Sequence, residues 1–318
     1  MKKAAISAIV LLSLIVKAQD NIKYDKLFDD PYFLFHIKAG VFGDIDAYDT
    51  KNYRGGIYAG AIVNLGQRFA VGGDIKLGLP NWNRVQKEAL NDVGGTHFDV
   101  SGRAILNFKV DESMRSYKTD LKVTSYRSGN YNITDTKYIM VDATQLHQVG
   151  LTGSAGVFRN QIVQNKRTAY EFTDSLVSAT GTGISYTGLY VSGGFSIRSY
   201  VNYLINAFST NTNETYKKKG KRDHNVMYIE GIYMPFVAVP KNVDVNGKTQ
   251  DLADKPATQN FGVRIISEYH TTRSVLNGAR IELGTRPGIK MPVKQGAKFS
   301  NLYFQMSLFV GINKKAKT

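Results

Sequence analysis

The stretch YRGGIYAGAIVNLGQRFAVGGDIKLGL, residues 53–79, decides the fold of this chain. Every second residue from Tyr53 to Leu65 is apolar or glycine, and the same alternation resumes from Phe69 to Leu79. A β-strand turns successive side chains to opposite faces, so each half has one apolar face and one polar face. The tight link at 66–68 predicts that the two halves form an antiparallel hairpin.

The same alternation recurs along the chain in about a dozen segments of about 10 residues. Gly43–Lys51 is interpreted as an acidic loop, Asn211–Arg222 as a polar loop, and Gln161–Thr182 is ambiguous. In the first segment the predicted apolar row runs from Phe33 through Ile37 to Val41. The segments are 32–41, 53–65, 69–79, 97–110, 117–126, 131–142, 146–158, 189–201, 226–239, 261–270, 279–286 and 302–312.

The N-terminal segment has the pattern of a cleaved secretory signal. Lys2 and Lys3 precede the apolar run Ala4–Val16, and Ala18 ends a small-residue cleavage site. The alternative, a membrane helix, needs a longer apolar run. We therefore expect residues 1–18 to be a signal peptide and residues 19–318 to form a single exported domain. The sequence contains no cysteine, so this domain has no disulfides.

The chain is basic, and its charge bears on its partners. The formal charge of +15 falls to +12 when the three lysines of residues 1–18 are removed. For an exported protein the predicted anionic partners are lipid phosphates, including lipopolysaccharide, or acidic proteins, and not nucleic acid. No nucleotide-binding loop, metal-ligand spacing or nucleophile elbow occurs, so no cofactor and no metal is predicted.

The segment pattern is typical of a membrane barrel. The apolar rows are five to seven positions long, as in a tilted strand that crosses hydrocarbon, and the opposite faces carry glycine and charges of both signs. A secreted soluble β-sandwich is the alternative. In these features the chain resembles the Gram-negative outer-membrane β-barrel proteins. The resemblance implies a closed antiparallel transmembrane β-barrel of about 12 strands, with 14 as the alternative, in the bacterial outer membrane.

One feature departs from that resemblance. Members often end on an aromatic residue, whereas here the last strand, Leu302–Ile312, is followed by the basic tail Asn313–Thr318.

Two histidines invite comparison with outer-membrane enzymes. His147 lacks the His-x-Ser-Asn-Gly motif of the phospholipases, and Asp223-His224 is the only hint of an outer-membrane protease. The chain is therefore predicted to be non-enzymatic, with no catalytic residues.

In a barrel, the polar faces of the strands point into the lumen. Arginines that lined open water would make a narrow, anion-leaning passive channel. Charges that paired with each other would plug the lumen, and the barrel would then be an accessory or scaffold subunit docking with other outer-membrane or periplasmic proteins of assembly, secretion or uptake machinery. The near balance of signs favours the second function. The predicted lumenal cluster is Arg54, Asp74, Lys76, Asp99, Arg103, Arg198, Arg264, Glu268, Arg280, Glu282 and Arg286.

A separate basic run forms a possible contact for anionic lipid or a protein partner. A solvated loop is the alternative interpretation. The run consists of Lys217, Lys218, Lys219, Lys221 and Arg222.

Overall fold

A computed structural model describes residues 22–46, 49–79, 97–128, 131–164, 168–172, 175–179, 182–238, 242–245, 248–251, 258–271, 278–289 and 301–315. The predicted signal peptide and the connection between the predicted segments 69–79 and 97–110 lie outside these residues. The strands are β1 Ile22–Asp29, β2 Phe33–Asp46, β3 Asp49–Asn64, β4 Phe69–Gly78, β5 Phe98–Ser128, β6 Tyr131–Gln164, β7 Thr168–Phe172, β8 Ser175–Ala179, β9 Thr182–Ser209, β10 Thr215–Ala238, β11 Asn242–Val245, β12 Lys248–Asp251, β13 Thr258–Gln259, β14 Phe261–Thr271, β15 Gly278–Thr285, β16 Gly288–Ile289 and β17 Leu302–Lys315.

Ten strands close into an antiparallel barrel. Their order around the ring is β2, β3, β4, β5, β6, β9, β10, β14, β15 and β17, and β17 pairs again with β2. β1 lies outside the ring and pairs with β9. The all-β closed barrel is therefore as predicted, and closure leaves the ring without unpaired edge strands.

The predicted count of 12 strands is wrong, and the reason is strand length. The predicted segments 97–110 and 117–126 are parts of one strand, β5, of 31 residues. Likewise, 131–142 and 146–158 both lie in β6, which has 34 residues. The alternation of apolar and polar residues weakens in the middle of each of these strands, so the pattern predicts two short strands where the structure has one long strand.

Two predicted loops are also strand. β2 continues through Asp44 to Asp46, so the acidic loop of 43–51 is mostly paired backbone. β10 begins at Thr215, which places the basic run in a strand.

The alternation of exposure follows the predicted hairpin closely. In β3, Ile57, Ala59 and Ala61 are exposed, whereas Tyr58 and Ile62 are buried. Phe33 is an exception, because it is only 5% exposed and faces the interior. The β17–β2 register shifts between the partners of Phe35 and Phe33, and this irregularity reverses the parity of the first residue of β2.

The chain divides into two compact units. Unit 1 comprises the described residues within Met1–Pro31, Ser113–Gln145 and Val201–Arg222, and unit 2 comprises those within Tyr32–Glu112, Leu146–Tyr200 and Asp223–Thr318. The single domain predicted over 19–318 stays a prediction.

Unit 1 has its own small apolar cluster, whose buried side chains come from β5, β6, β9 and β10. β1 pairs antiparallel with β9 from Ile22 opposite Ser209 to Asp29 opposite Tyr203. The Asp29 carboxylate accepts hydrogen bonds from the backbone N–H and the hydroxyl of Thr144, at 2.9 and 3.2 Å. The buried apolar side chains are Leu121, Val141, Ala143, Val201, Tyr203, Ile205, Ala207 and Tyr216.

Among the described residues, no helix has the length and apolar character needed to cross a membrane.

Candidate functional site: the lumen of unit 2

The candidate site is the interior of the ten-strand ring, which the inward-facing side chains of unit 2 fill. All eleven residues of the predicted lumenal cluster belong to this unit. Arg54, Lys76, Arg198, Arg264, Glu268, Arg280 and Glu282 are buried, and Asp74, Asp99, Arg103 and Arg286 are partly buried.

A first set of charges joins β4 to β15, which lie four strands apart around the ring. The Arg280 guanidinium on β15 contacts the Asp74 carboxylate on β4 at 2.9 Å. The Tyr58 hydroxyl donates to the same carboxylate at 2.9 Å. Beside them, the Lys38 ammonium contacts Glu268 at 2.7 Å. Side chains from distant strands therefore meet in the middle of the ring.

A second set surrounds Glu282. The Lys76 ammonium lies 3.0 Å from the Glu282 carboxylate and donates to the Gln305 side-chain oxygen at 2.6 Å. Arg280 also contacts Glu282, at 3.4 Å. Burial of these ions away from bulk water is tolerated because each carboxylate has a cation or a hydroxyl as its partner.

A third set is centred on Glu230, whose side chain is fully buried. Its carboxylate contacts Arg264 at 2.6 Å and Arg103 at 3.0 Å. The Arg103 guanidinium also lies 4.0 Å from the ring centroid of Tyr228, within the range of a cation–π contact.

The remaining arginines are held at the margins of these sets. Arg54 and Arg286 both contact Asp44. Arg198 donates to the side-chain oxygens of Asn64 and Asn107, at 3.1 and 3.0 Å. Each arginine of the predicted cluster thus has a protein partner, and none is directed only at water.

An apolar layer crosses the same lumen. Ile62 on β3 and Tyr228 on β10 belong to one buried cluster, and these strands are directly opposite in a ring of ten. The cluster consists of Ile62, Ala70, Ile105, Val226, Tyr228 and Ile266. A ring of this size is narrow enough for side chains to fill it.

A small cavity remains between the charges. It has a volume of about 30 Å³ and is lined by Lys76, Arg264, Glu282 and Arg286, among others. A cavity of roughly 10–15 Å³ is needed for one water molecule, so this space holds about two.

Sequence reasoning missed three members of the network: Lys38, Asp44 and Glu230. Lys38 alternates with the outward Ile37 and Ala39, so strand parity alone could have placed it in the lumen. Asp44 was assigned to a loop because it stands among other acidic residues. Glu230 gave no separate signal within its strand.

The histidines flagged by the sequence lie in different surroundings. His147 is partly buried on β6. His224, which was compared with loop histidines, is instead buried inside unit 2 on β10, with its Nδ1 atom 3.2 Å from Nδ1 of His36. His36 and His270 complete a buried group that sequence reasoning did not assemble.

Comparisons with known proteins add little to this geometry. No protein-family model matches the chain, and no curated protein sequence matches it. One solved structure, "OmpT (in-vitro folded), an outer membrane protein of Vibrio cholerae", matches at 8% sequence identity with a TM-score of 0.16, over 93% of this chain and 99% of that chain. A TM-score this low carries no argument, so the barrel assignment rests on the strand pairing itself.

Unit 1 presents the basic run predicted from the sequence. Lys217 and Lys218 are exposed, whereas Lys219, Lys221 and Arg222 are partly buried. Lys221 lies 4.9 Å from the ring centroid of Tyr117, and Arg222 donates to the side-chain oxygen of Asn202 at 3.1 Å.

An exposed acid lies near the start of the same strand. Hydrogen bonds from the Tyr216 hydroxyl and the Lys122 ammonium lower the pKa of the Glu214 carboxyl to about 2. The hydrogen bond to Glu214 also raises the pKa of Tyr216.

Proposed function

We propose that this protein is a non-enzymatic, integral β-barrel of the bacterial outer membrane that serves as an accessory or scaffold subunit and docks with other envelope proteins. The observation that carries the proposal is the filled lumen. Salt bridges such as Asp74–Arg280 join strands four positions apart, and an apolar layer crosses between opposite strands. A barrel filled in this way is suited to anchoring partners and not to passing solutes.

The outer surface of the ring supports the membrane location. Each of the ten strands carries at least one large apolar side chain that is exposed, such as Leu106 at 54%, Phe195 at 55% and Phe261 at 67%. Soluble proteins rarely expose continuous apolar patches of more than a few hundred Å². Charges inside and apolar side chains outside are the arrangement expected of a barrel in lipid.

Connection lengths support an orientation in the membrane. In the antiparallel ring, the links at 65–68, 129–130, 210–214 and 272–277 fall at one end of the strands, and they are short. The links at 79–97, 165–181, 239–260 and 286–301 fall at the other end and are long, and the short β2–β3 link at 47–48 is the exception there. Outer-membrane barrels have short periplasmic turns and long extracellular loops, so the turn at 210–214 is periplasmic in this proposal.

Unit 1 supplies a surface suited to a protein partner. Its strands expose Tyr126 at 54%, Tyr131 at 77% and Met140 at 50%, and unit 1 also carries the exposed Lys217 and Lys218. Aromatic and methionine side chains are enriched at protein interfaces.

A narrow, anion-leaning channel is the second candidate function. The cavity favours it, because its lining has three cations, Lys76, Arg264 and Arg286, against two carboxylates, Asp99 and Glu282. Its volume of about 30 Å³, however, is that of about two water molecules, which argues against a wide aqueous channel there.

Conductance in planar bilayers separates the two functions. We expect no reproducible steps from the wild type. The double variant Asp74→Ser, Arg280→Ser removes a whole ion pair from the middle of the lumen without leaving a lone charge, and it should conduct. Steps of equal size from both proteins would contradict the scaffold function and favour the channel.

Docking is tested by purification in a mild detergent, with the mass of the assembly read by native mass spectrometry. The variant Lys217→Glu, Lys218→Glu should lose any second protein that the wild type retains. Lys109→Glu, at another exposed lysine, should not. Recovery of the wild type as a lone barrel would count against the docking function while leaving the barrel itself untouched.

A further inference from the structure

Three histidines come together inside unit 2, two from the paired strands β10 and β14 and one from β2 across the ring. His36 lies on β2, His224 on β10 and His270 on β14, and β2 and β10 are four strands apart in the ring. All three side chains are buried, with exposures of 1–2%. The ring centroid of His36 is 5.2 Å from that of His224 and 4.6 Å from that of His270.

A carboxylate completes the group. Glu268 precedes His270 by two residues on β14 and is also buried. One donor atom from each of His36, His224 and Glu268 lies within 4.8 Å of the other two. From these residues we propose that the lumen of unit 2 holds a site for a divalent transition-metal ion, of which Zn²⁺ is the representative, with His36, His224 and Glu268 as ligands.

The spacing of the imidazoles fits a metal. In a tetrahedral site with Zn–N bonds of about 2.0–2.1 Å, two nitrogen ligands lie about 3.3 Å apart. The Nδ1 atoms of His36 and His224 are 3.2 Å apart. The Glu268 carboxylate has two oxygens, so one can stay with Lys38 at 2.7 Å while the other turns toward the ion.

The protonation of the group also fits a metal. Three imidazoles packed in contact, away from water, are stable only as neutral rings, and a neutral imidazole offers a lone pair to a metal.

Aromatic rings hold the imidazoles in position. Tyr200 stacks on His224 with ring centroids 4.4 Å apart, and Phe309 stacks on His270 at 6.3 Å. Gly311 lies beside the group on β17, where an added Cβ would be 2.5 Å from Nε2 of His36 and 2.8 Å from Nε2 of His270. The missing side chain leaves the space that these two rings occupy. In the proposed site, His270 or a water would supply the fourth ligand.

Imidazole and carboxylate ligands together suit Zn²⁺ and its neighbours in the first transition row better than Mg²⁺ or Ca²⁺, which prefer oxygen alone. The ion would join β2, β10 and β14 across the lumen. This role is structural and does not depend on the proposed docking function.

The test uses the full barrel purified in detergent, stripped with EDTA, loaded with ZnCl₂ and desalted. Elemental analysis should find about one Zn²⁺ per chain in the wild type. His36→Gln and His224→Gln should each lose most of it. His97→Gln, at a buried lumenal histidine outside the group, should keep it. Co²⁺ loading of the wild type should give the intense visible bands of four-coordinate cobalt.

Two further measurements keep the test decisive. Heat-modified migration on gels shows which variants are folded. Lys38→Gln removes a positive charge that would repel the ion, so this variant should bind Zn²⁺ about tenfold more tightly. The proposed metal site would be wrong if the wild type retained no Zn²⁺, or if folded His36→Gln and His224→Gln retained as much Zn²⁺ per chain as the wild type. The three histidines would then form only a hydrogen-bonded cluster.

Discussion

Loss of the Asp44 carboxylate should destabilise the barrel. Its side chain is fully buried and contacts both Arg54 and Arg286. Asp44→Asn would remove the negative charge from both contacts, and breaking a buried ion pair costs about 3–5 kcal/mol. We expect a loss of about 3 kcal/mol in the free energy of unfolding, measured by urea titration in lipid vesicles.

An exposed ion pair on β5 provides the control. Lys109 and Asp111 are 2.9 Å apart, but their side chains are 60% and 50% exposed. Asp111→Asn should therefore change stability by less than about 1 kcal/mol. Equal losses from the two variants would mean that Asp44 is not shielded from water as described.

Glu214 gives a pH-dependent prediction at the same scale. Its pKa of about 2 in the folded state lies below the ordinary value of 4.5. A carboxyl with a lowered pKa stabilises the fold above its ordinary pKa, and this contribution is lost as the pH falls from about 4.5 toward 2. Carbon-13 NMR of labelled glutamate carboxyls should show one signal with a midpoint near 2 that disappears in Glu214→Gln. A midpoint near 4.5 would contradict the Tyr216 and Lys122 contacts.

Single residues also show where sequence reasoning ends. Strand parity is sufficient to place Arg54, Lys76 and Arg280 in the lumen. It cannot say which acid each cation meets, because partners such as Asp74 and Arg280 are 206 positions apart and meet only when the ring closes. The histidine group was missed for the same reason, since its members come from three separate strands.

At the scale of the element, the pairing of β2 with β17 depends on a glycine. A Cβ added at Gly40 would overlap the backbone carbonyl oxygen of Leu308 on β17. A Cβ added at Gly43, on the same strand, would have no atom within 4 Å. Gly40→Ala should therefore force the strands apart and cost about 2 kcal/mol. Gly43→Ala should stay within about 0.5 kcal/mol of the wild type.

Refolding into lipid vesicles, followed by the shift in gel migration of the folded barrel, measures both variants. The expected result is a lower folded yield for Gly40→Ala alone. If both variants refold like the wild type, the close approach of β2 and β17 is wrong.

The strands themselves could be predicted well, but their ends could not. Alternation located the parts of β3, β4 and β14 with an apolar face. It fails in β5 between 110 and 117, where Asp111, Glu112 and Arg115 are exposed and charged while the strand continues. The length of a strand is set by its backbone pairing with neighbouring strands. The apolar pattern marks only the part of the strand that has one apolar face.

For the whole molecule, the decisive inference is that lipid surrounds the apolar exterior of unit 2, and β5 allows a matched test. Leu106 is 54% exposed in unit 2, and Val123 is 59% exposed in unit 1 on the same strand. Arginine facing hydrocarbon costs about 2–4 kcal/mol at the bilayer centre and less toward its edge. Leu106→Arg should therefore lose about 2 kcal/mol in vesicle unfolding. Val123→Arg, surrounded by water, should change by less than about 0.5 kcal/mol. A tolerated Leu106→Arg would place the ring outside the membrane.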